Sequence, residues 1–176
     1  FIALQVHAVP DPSLAGKKMY WKNIKIKTTD LTSTPFLKEV FVVNMIPNNL
    51  SKTEEQDGWQ LLFDGKTSDG WRGAFKTGFP DRGWKIDRGA ITVLEANGEQ
   101  GKNGGDVVTT KEYSAFDLTF QFRLTPGANS GVKYFVTLKE QSDSSAIGLE
   151  YQILDDKLHP DAKLGRDGNR TLSSLY

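Results

Sequence analysis

The chain has 176 residues, enough for one domain with a sizeable core or for pieces of two. Its 22 Lys and Arg balance 22 Asp and Glu, which removes any net electrostatic claim on nucleic acid or an anionic membrane and points to an uncharged partner. Cysteine is absent, so disulfide frameworks and thiolate metal sites are excluded, and no run approaches the roughly 20 apolar residues of a membrane span. Aromatic residues at 11% and 17 glycines favour an all-β protein with many turns. The opening at Phe1, with no basic leader, reads as mature or fragmentary sequence.

In chain order, Phe1 to Val6 is a strand from its first residue, with Ile2, Leu4 and Val6 on one face and Gln5 and His7 on the other. A turn at Pro10 to Pro12 leads to a second strand from about Lys18 to Lys27, where Tyr20, Ile24 and Ile26 alternate with Trp21, Asn23 and Lys25. Thr28 to Pro35 reads as a connector, and Val40 to Val43 as a short apolar run. Ser51-Lys52-Thr53-Glu54 is a capping box, and Gly58 limits its helix to little more than a turn. Strand and turn then alternate: Trp59 to Phe63 before the Asp64-Gly65 turn, Trp71, Trp84 to Ile86, and Ala90 to Leu94. Gly98 to Gly105 reads as a mobile hairpin loop. It lacks the Ser or Thr after Lys102 that a phosphate loop needs.

The clearest alternation runs from Phe116 to Leu124, with Phe116, Leu118, Phe120, Phe122 and Leu124 inward. Two further strands follow. Val132, Tyr134, Val136 and Leu138 share one face of the first, as do Ile147, Leu149, Tyr151 and Ile153 of the second, and both faces are expected in the core. Lys133, Glu150 and Gln152 then lie on the opposite, open face, where an ammonium, a carboxylate and an amide suit a polyhydroxylated ligand. Beyond Asp155 strand character is lost, and a long loop is expected. Short strands at intervals of roughly ten residues indicate a sandwich or barrel.

Leu61-Leu62-Phe63-Asp64-Gly65 with Gly70-Trp71, Gly83-Trp84-Lys85-Ile86, Phe116-Asp117-Leu118, Asn129-Ser130-Gly131, Gly148-Leu149-Glu150-Tyr151-Gln152 and the tail through Ser174-Leu175-Tyr176 resemble, in this order, the 3-keto-disaccharide hydrolase family of Bacteroides-type bacteria. The resemblance implies a concanavalin-like jelly-roll β-sandwich with a short helix before it, and a periplasmic or secreted location. Ile2-Ala3-Leu4-Gln5 with His7, and Tyr20 to Lys27, resemble the last two strands of such a domain. The implied organisation is residues 1–29 as closing strands of a preceding copy, 30–50 as a connector, and 51–176 as the first two-thirds of a second copy. Residues 1–27 then either close the gap in that second copy, here or in a neighbour, or belong to a longer two-domain protein.

The resemblance also implies an activity: cleavage of glycosides already oxidised to a ketone at C3. Such a ketone acidifies the C2 hydrogen, so a base can remove it, the enolate can expel the C1 substituent, and water can add back. On that reading His159 is the base or leaving-group acid, with Glu150 and Asp155 beside it as catalytic carboxylates. Gln152, Lys133, Asn129, Asp156 and Arg170 bind the saccharide, and Lys133 or Arg170 faces the enolate oxygen. Each has a plainer alternative: a solvated loop histidine, turn chemistry for the Asp155-Asp156 pair and for Asn129, a surface cation for Lys133 or Arg170. No metal or organic cofactor is indicated by the residues. Trp21, Trp59, Trp71 and Trp84 are core residues or sugar-stacking platforms. A non-catalytic carbohydrate-binding module on the same sandwich is the competing reading.

Overall fold

The computed structural model describes residues 1–5, 17–31, 44–94, 104–142 and 145–176. Val6, His7, the Pro10 to Pro12 turn, the Val40 to Val43 run and most of the Gly98 to Gly105 loop lie outside them. The fold is a sandwich of two antiparallel sheets, as expected.

The first sheet has the order β10-β9-β1-β7-β4, from β10 (Ser145–Leu154), β9 (Asn129–Ser142), β1 (Ala3–Leu4), β7 (Val107–Thr109) and β4 (Trp71–Gly73). In the second, β2 (Met19–Lys27) is central. The edge strand β8 (Asp117–Leu124) pairs along one side of it, and β6 (Ala90–Val93) and β3 (Trp59–Leu61) share the other, with β5 (Trp84–Asp87) beyond β6. β1 and β2 therefore lie inside the two sheets: Ala3 is in register with Val108 on one side and Lys133 on the other.

The inner faces of the two sheets meet in one core of Ile2, Leu4, Trp21, Ile24, Ile26, Trp71, Trp84, Ile91, Val107, Val132 and Ile153. Trp71 and Trp84 lie in this core, and each satisfies its indole N–H there, on Leu62 O at 2.6 Å and Gly105 O at 2.7 Å. β7 was not anticipated: Val107-Val108-Thr109 is buried on both faces, so it carries no alternation to read. The capping box forms at α1 (Lys52–Gln56), where the Ser51 hydroxyl accepts from Glu54 N–H and the Glu54 carboxylate accepts from Ser51 N–H.

Two breaks in the alternation fall at non-glycine residues with positive φ. At Asn23 (φ 53°) β2 loses register with β8 between Lys22 and Lys25. The buried set is consequently Met19 and Trp21 before the break and Ile24 and Ile26 after it, and Trp21, not Tyr20, is in the core. Reciprocal bonds with Asn48 hold the bulge: Asn23 N–H donates to Asn48 Oδ1 and Asn48 N–H to Asn23 Oδ1. At Phe135 (φ 53°) β9 slips against β10 between Ile147 and Leu149. Val136 then turns away from Val132 and Tyr134 to pack with Ala3, Val108 and Ala146 on the opposite face. Gly148 sits against this bulge, and a Cβ there would come within 2.8 Å of Tyr134 O.

The stretch after Asp155 is more ordered than a loop. Two short 3-10 turns, Pro160–Lys163 and Arg166–Gly168, are followed by a return to the sheet, where Tyr151 bridges Leu175. Glu150 N–H donates to Tyr176 O, Tyr176 N–H to Glu150 O and Gln152 N–H to Ser174 O, so the last residues line the outer edge of β10.

Candidate functional site

Cross-strand register assembles a polar group on the face of the first sheet that points away from the main core. Lys133 and Glu150 are direct partners across β9 and β10, and Gln152 faces Gly131 one step along. Gln5 joins the same step, its N–H donating to Gly131 O at 3.0 Å.

The Asn129-Ser130-Gly131 motif has a separate task at each position. Asn129 Nδ2 donates to Asp161 Oδ2, and the buried Ser130 hydroxyl donates to Gln5 O at 2.6 Å. Gly131 leaves room for the Glu150 carboxylate, because a Cβ there would lie 2.2 Å from Glu150 Oε1. A side chain at 131 and a carboxylate folded over it are mutually exclusive.

The expected exposure is reversed at several positions, although Val132 and Ile153 are in the core as expected. Glu150 (6%), Lys133 (7%) and Gln152 (1%) are buried, whereas Leu149 (41%) and Tyr151 (38%), assigned to the core from their chemistry, are open, with Tyr134 only half-buried. The reason lies in residues distant in sequence. Lys133 Nζ donates to Asp106 Oδ2 at 3.0 Å and to Ala146 O at 2.9 Å, which lets the ammonium be buried. On the other face the sheets diverge between β8 and the β9–β10 pair. They leave a groove of about 770 Å³ lined by Phe116, Leu118, Phe120, Tyr134, Phe135 and Tyr151.

His159 is also buried (6%) and starts the first 3-10 turn. Its Nδ1 accepts the Asp161 N–H at 3.2 Å, which places the ring hydrogen of the neutral imidazole on Nε2. The turn is built by Asp155. Its Oδ2 accepts from Gly127 N–H and its Oδ1 from Lys157 and Leu158 N–H, and the Gly127 bond is the largest cause holding its carboxyl below the usual range. Asp155 O also takes the His159 N–H at 2.9 Å. This is turn chemistry.

Asp156 is exposed and accepts the Leu172 N–H at 2.7 Å, and Arg170 is exposed over the Tyr176 ring. Lys133, Glu150 and Gln152 are thus brought onto one face. Asp155 and His159 belong to the turn after β10, which Asn129 at the start of β9 meets through Asp161, and Asp156 and Arg170 belong to the terminal segment.

Two residues absent from the sequence reading of the site stand out. Asp106 is fully buried, and its only local signal was its place after Gly104-Gly105. Gln5 was visible in the opening motif, but only the pairing of β1 with β9 puts it beside Gln152. Two buried acceptors, Gln5 Oε1 and Asn129 Oδ1, have no hydrogen-bond donor among the described residues. Among the described residues no group of three or more His, Cys, Asp or Glu could hold a metal ion.

Residues 58–176 match the sequence profile of the 3-keto-alpha-glucoside-1,2-lyase-like domain. The chain is also 36% identical, over 175 aligned residues, to a 3-keto-disaccharide hydrolase of Bacteroides thetaiotaomicron. That alignment covers 93% of this chain and 59% of the relative, so the chain spans about three-fifths of the length of the curated protein it matches.

Proposed function

From the premise that the chain belongs to the 3-keto-alpha-glucoside-1,2-lyase-like domain family, we propose that it is part of a carbohydrate-active enzyme that cleaves 3-keto-glycosides by elimination and hydration. The observation that carries this reading is the register pairing of Lys133 with Glu150, with Gln152 and Gln5 one step along the same face.

The chemistry assigns the roles. A base takes the proton from C2, the C2–H electron pair moves into the ring, and the C3 oxygen becomes an enolate that needs a fixed positive donor. The C1–O bond then breaks and its oxygen takes a proton. Water adds its oxygen to C1 and a proton to C2, which restores the 3-keto sugar and completes a net hydrolysis.

Glu150 suits the base, since it is the carboxylate on the face, and Lys133 suits the enolate donor. His159, with hydrogen on Nε2, suits donation to the leaving group better than proton abstraction. Asp155 contributes as the organiser of the His159 turn, not as an acid or base. Gln152, Gln5 and Asn129 supply amide groups for sugar hydroxyls, and the unpaired Gln5 Oε1 and Asn129 Oδ1 are acceptors ready for them. Asp156 and Arg170 remain candidates for the outer part of a disaccharide. Access to this face requires that it be uncovered, since its polar groups are buried. A periplasmic or secreted location belongs to the same proposal and fits a saccharide substrate.

The test is His159→Gln, assayed for release of the free sugar from a 3-keto-disaccharide and for saccharide affinity. An enzyme that uses the imidazole loses about two to four orders of magnitude in kcat. Unchanged affinity together with no turnover by the wild-type protein would instead identify a carbohydrate-binding module.

A further inference from the structure

We propose that Asp106 is a positioning residue that holds the Lys133 ammonium for the enolate oxygen; this rests on the reaction assigned above to the face carrying Glu150. Asp106 stands just before β7, and its own carbonyl accepts Ala74 N–H at 2.9 Å, which fixes its backbone to the segment after β4. Its carboxylate Oδ2 accepts two bonds, from Lys133 Nζ and from Ala146 N–H, both at 3.0 Å. Lys133 Nζ donates in turn to Ala146 O at 2.9 Å. Acid, ammonium and peptide therefore form a closed ring joining three strands.

The position of Ala146 gives the ring its purpose. It lies between the pairs Ser145↔Ser142 and Ile147↔Thr137, where register is lost and regular ladder bonds are interrupted. Asp106 supplies the acceptor that the irregular ladder withholds, and so fixes the segment of β10 that leads to Glu150. It also pins a four-carbon side chain that would otherwise sample many rotamers. Among the described residues two of the three ammonium hydrogens have partners, both in the ring, and the third is assigned to a substrate oxygen. A buried ammonium so fixed needs no reorganisation when negative charge develops at C3.

A buried ion pair can serve stability alone, so the test must separate the two roles. Asp106→Asn, Lys133→Met and the double variant are assayed on a 3-keto-disaccharide after correction for the folded fraction. Lys133 labelling by an amine-reactive ester is followed by peptide mass mapping. Asp106→Asn is expected to lower kcat about 100-fold, with KM changed far less. The double variant is expected to be no slower than Lys133→Met alone, because Asp106 acts through Lys133. Lys133 labelling should rise at least about tenfold in Asp106→Asn, as expected for an ammonium freed from its partner.

Folded Asp106→Asn with wild-type kcat, or with Lys133 as protected as before, overturns the proposal. So do losses that multiply in the double variant. Should Asp106→Asn alone not fold, the double variant, which leaves no Lys133 ammonium to be buried without Asp106, still makes the comparison with Lys133→Met. A wild-type protein that turns over no 3-keto-disaccharide fails the assigned reaction and this role together, whereas normal turnover in Asp106→Asn fails this role only.

Discussion

On one face of β9 and β10 stand Lys133, Glu150 and Gln152, sealed from solvent; on the other, Tyr134 and Tyr151 border an open apolar groove, and Leu149 is exposed. Chemistry alone would put water on the first face and the core behind the second. The difference teaches that a face is dry because its groups find partners, not because they are apolar. Lys133 is buried because Asp106 and Ala146 meet it, and Tyr151 is open because the second sheet diverges from it.

The largest test of this contrast is Lys133→Ala. It removes the Lys133 ammonium from the fully buried Asp106 carboxylate and should cost about 3–5 kcal/mol in urea unfolding. A cost no greater than that of a surface truncation would mean that the pair is not dry. Next comes Gly131→Ala, which must displace the Glu150 carboxylate or open the strands. A loss of about 1–3 kcal/mol is expected, as for overpacking elsewhere. If the assigned reaction holds, turnover should fall more steeply than stability, because Glu150 is what moves.

A third test sets the dry pair against a partly exposed one. Glu54 bonds Lys25 and caps α1, and although desolvation opposes ionisation, the Lys25 ammonium and the Ser51 N–H bring its carboxyl down from 4.5 to about 2. Glu54→Gln should cost about 1 kcal/mol at neutral pH. A depressed carboxyl contributes stability that is complete above its unfolded pKa of 4.5 and is lost as pH falls through the folded value near 2, so the wild-type advantage should fade across that window. An advantage that stays constant from pH 6 to 2 would remove the ionised carboxylate from the account. The smallest effect belongs to the open face, where Leu149→Ala should change stability by only about 0.5 kcal/mol. A change several times larger would show that Leu149 is covered in solution.

Much of the sandwich was legible because several signals are local. The alternation of β8 and the capping box at Ser51 depend on neighbours within a few residues, and Phe116, Leu118, Phe120 and Leu124 do pack against the core, although Phe122, expected inward with them, is exposed at this edge. The shared face of Lys133, Glu150 and Gln152 was legible for the same reason, since no bulge falls between 129 and 134 or between 149 and 154. What was hidden is decided at long range. The break at Asn23 depends on Asn48, and the break at Phe135 on the missing side chain of Gly148. Neither can be seen in the strand that bends, so Trp21 and Val136 were assigned to the wrong faces. Whether the polar face is wet or dry was equally out of reach, because Asp106 sits in a glycine-rich stretch with no pattern to mark its partner.

The threading of β1 through the middle of the first sheet bears on how the chain reaches its native state. Ile2 N–H bonds Thr109 Oγ1 across 107 residues, and Ser130 bonds Gln5 O across 125. In the second sheet Lys18 meets Thr125 across another 107. The loop-closure entropy of such distant pairings must be met before any of them stabilises the chain, and folds of this kind are slow. During synthesis, Ile2, Leu4 and Trp21 leave the ribosome long before β8 and β9 exist to receive them. Strands made early must wait for partners made more than 100 residues later.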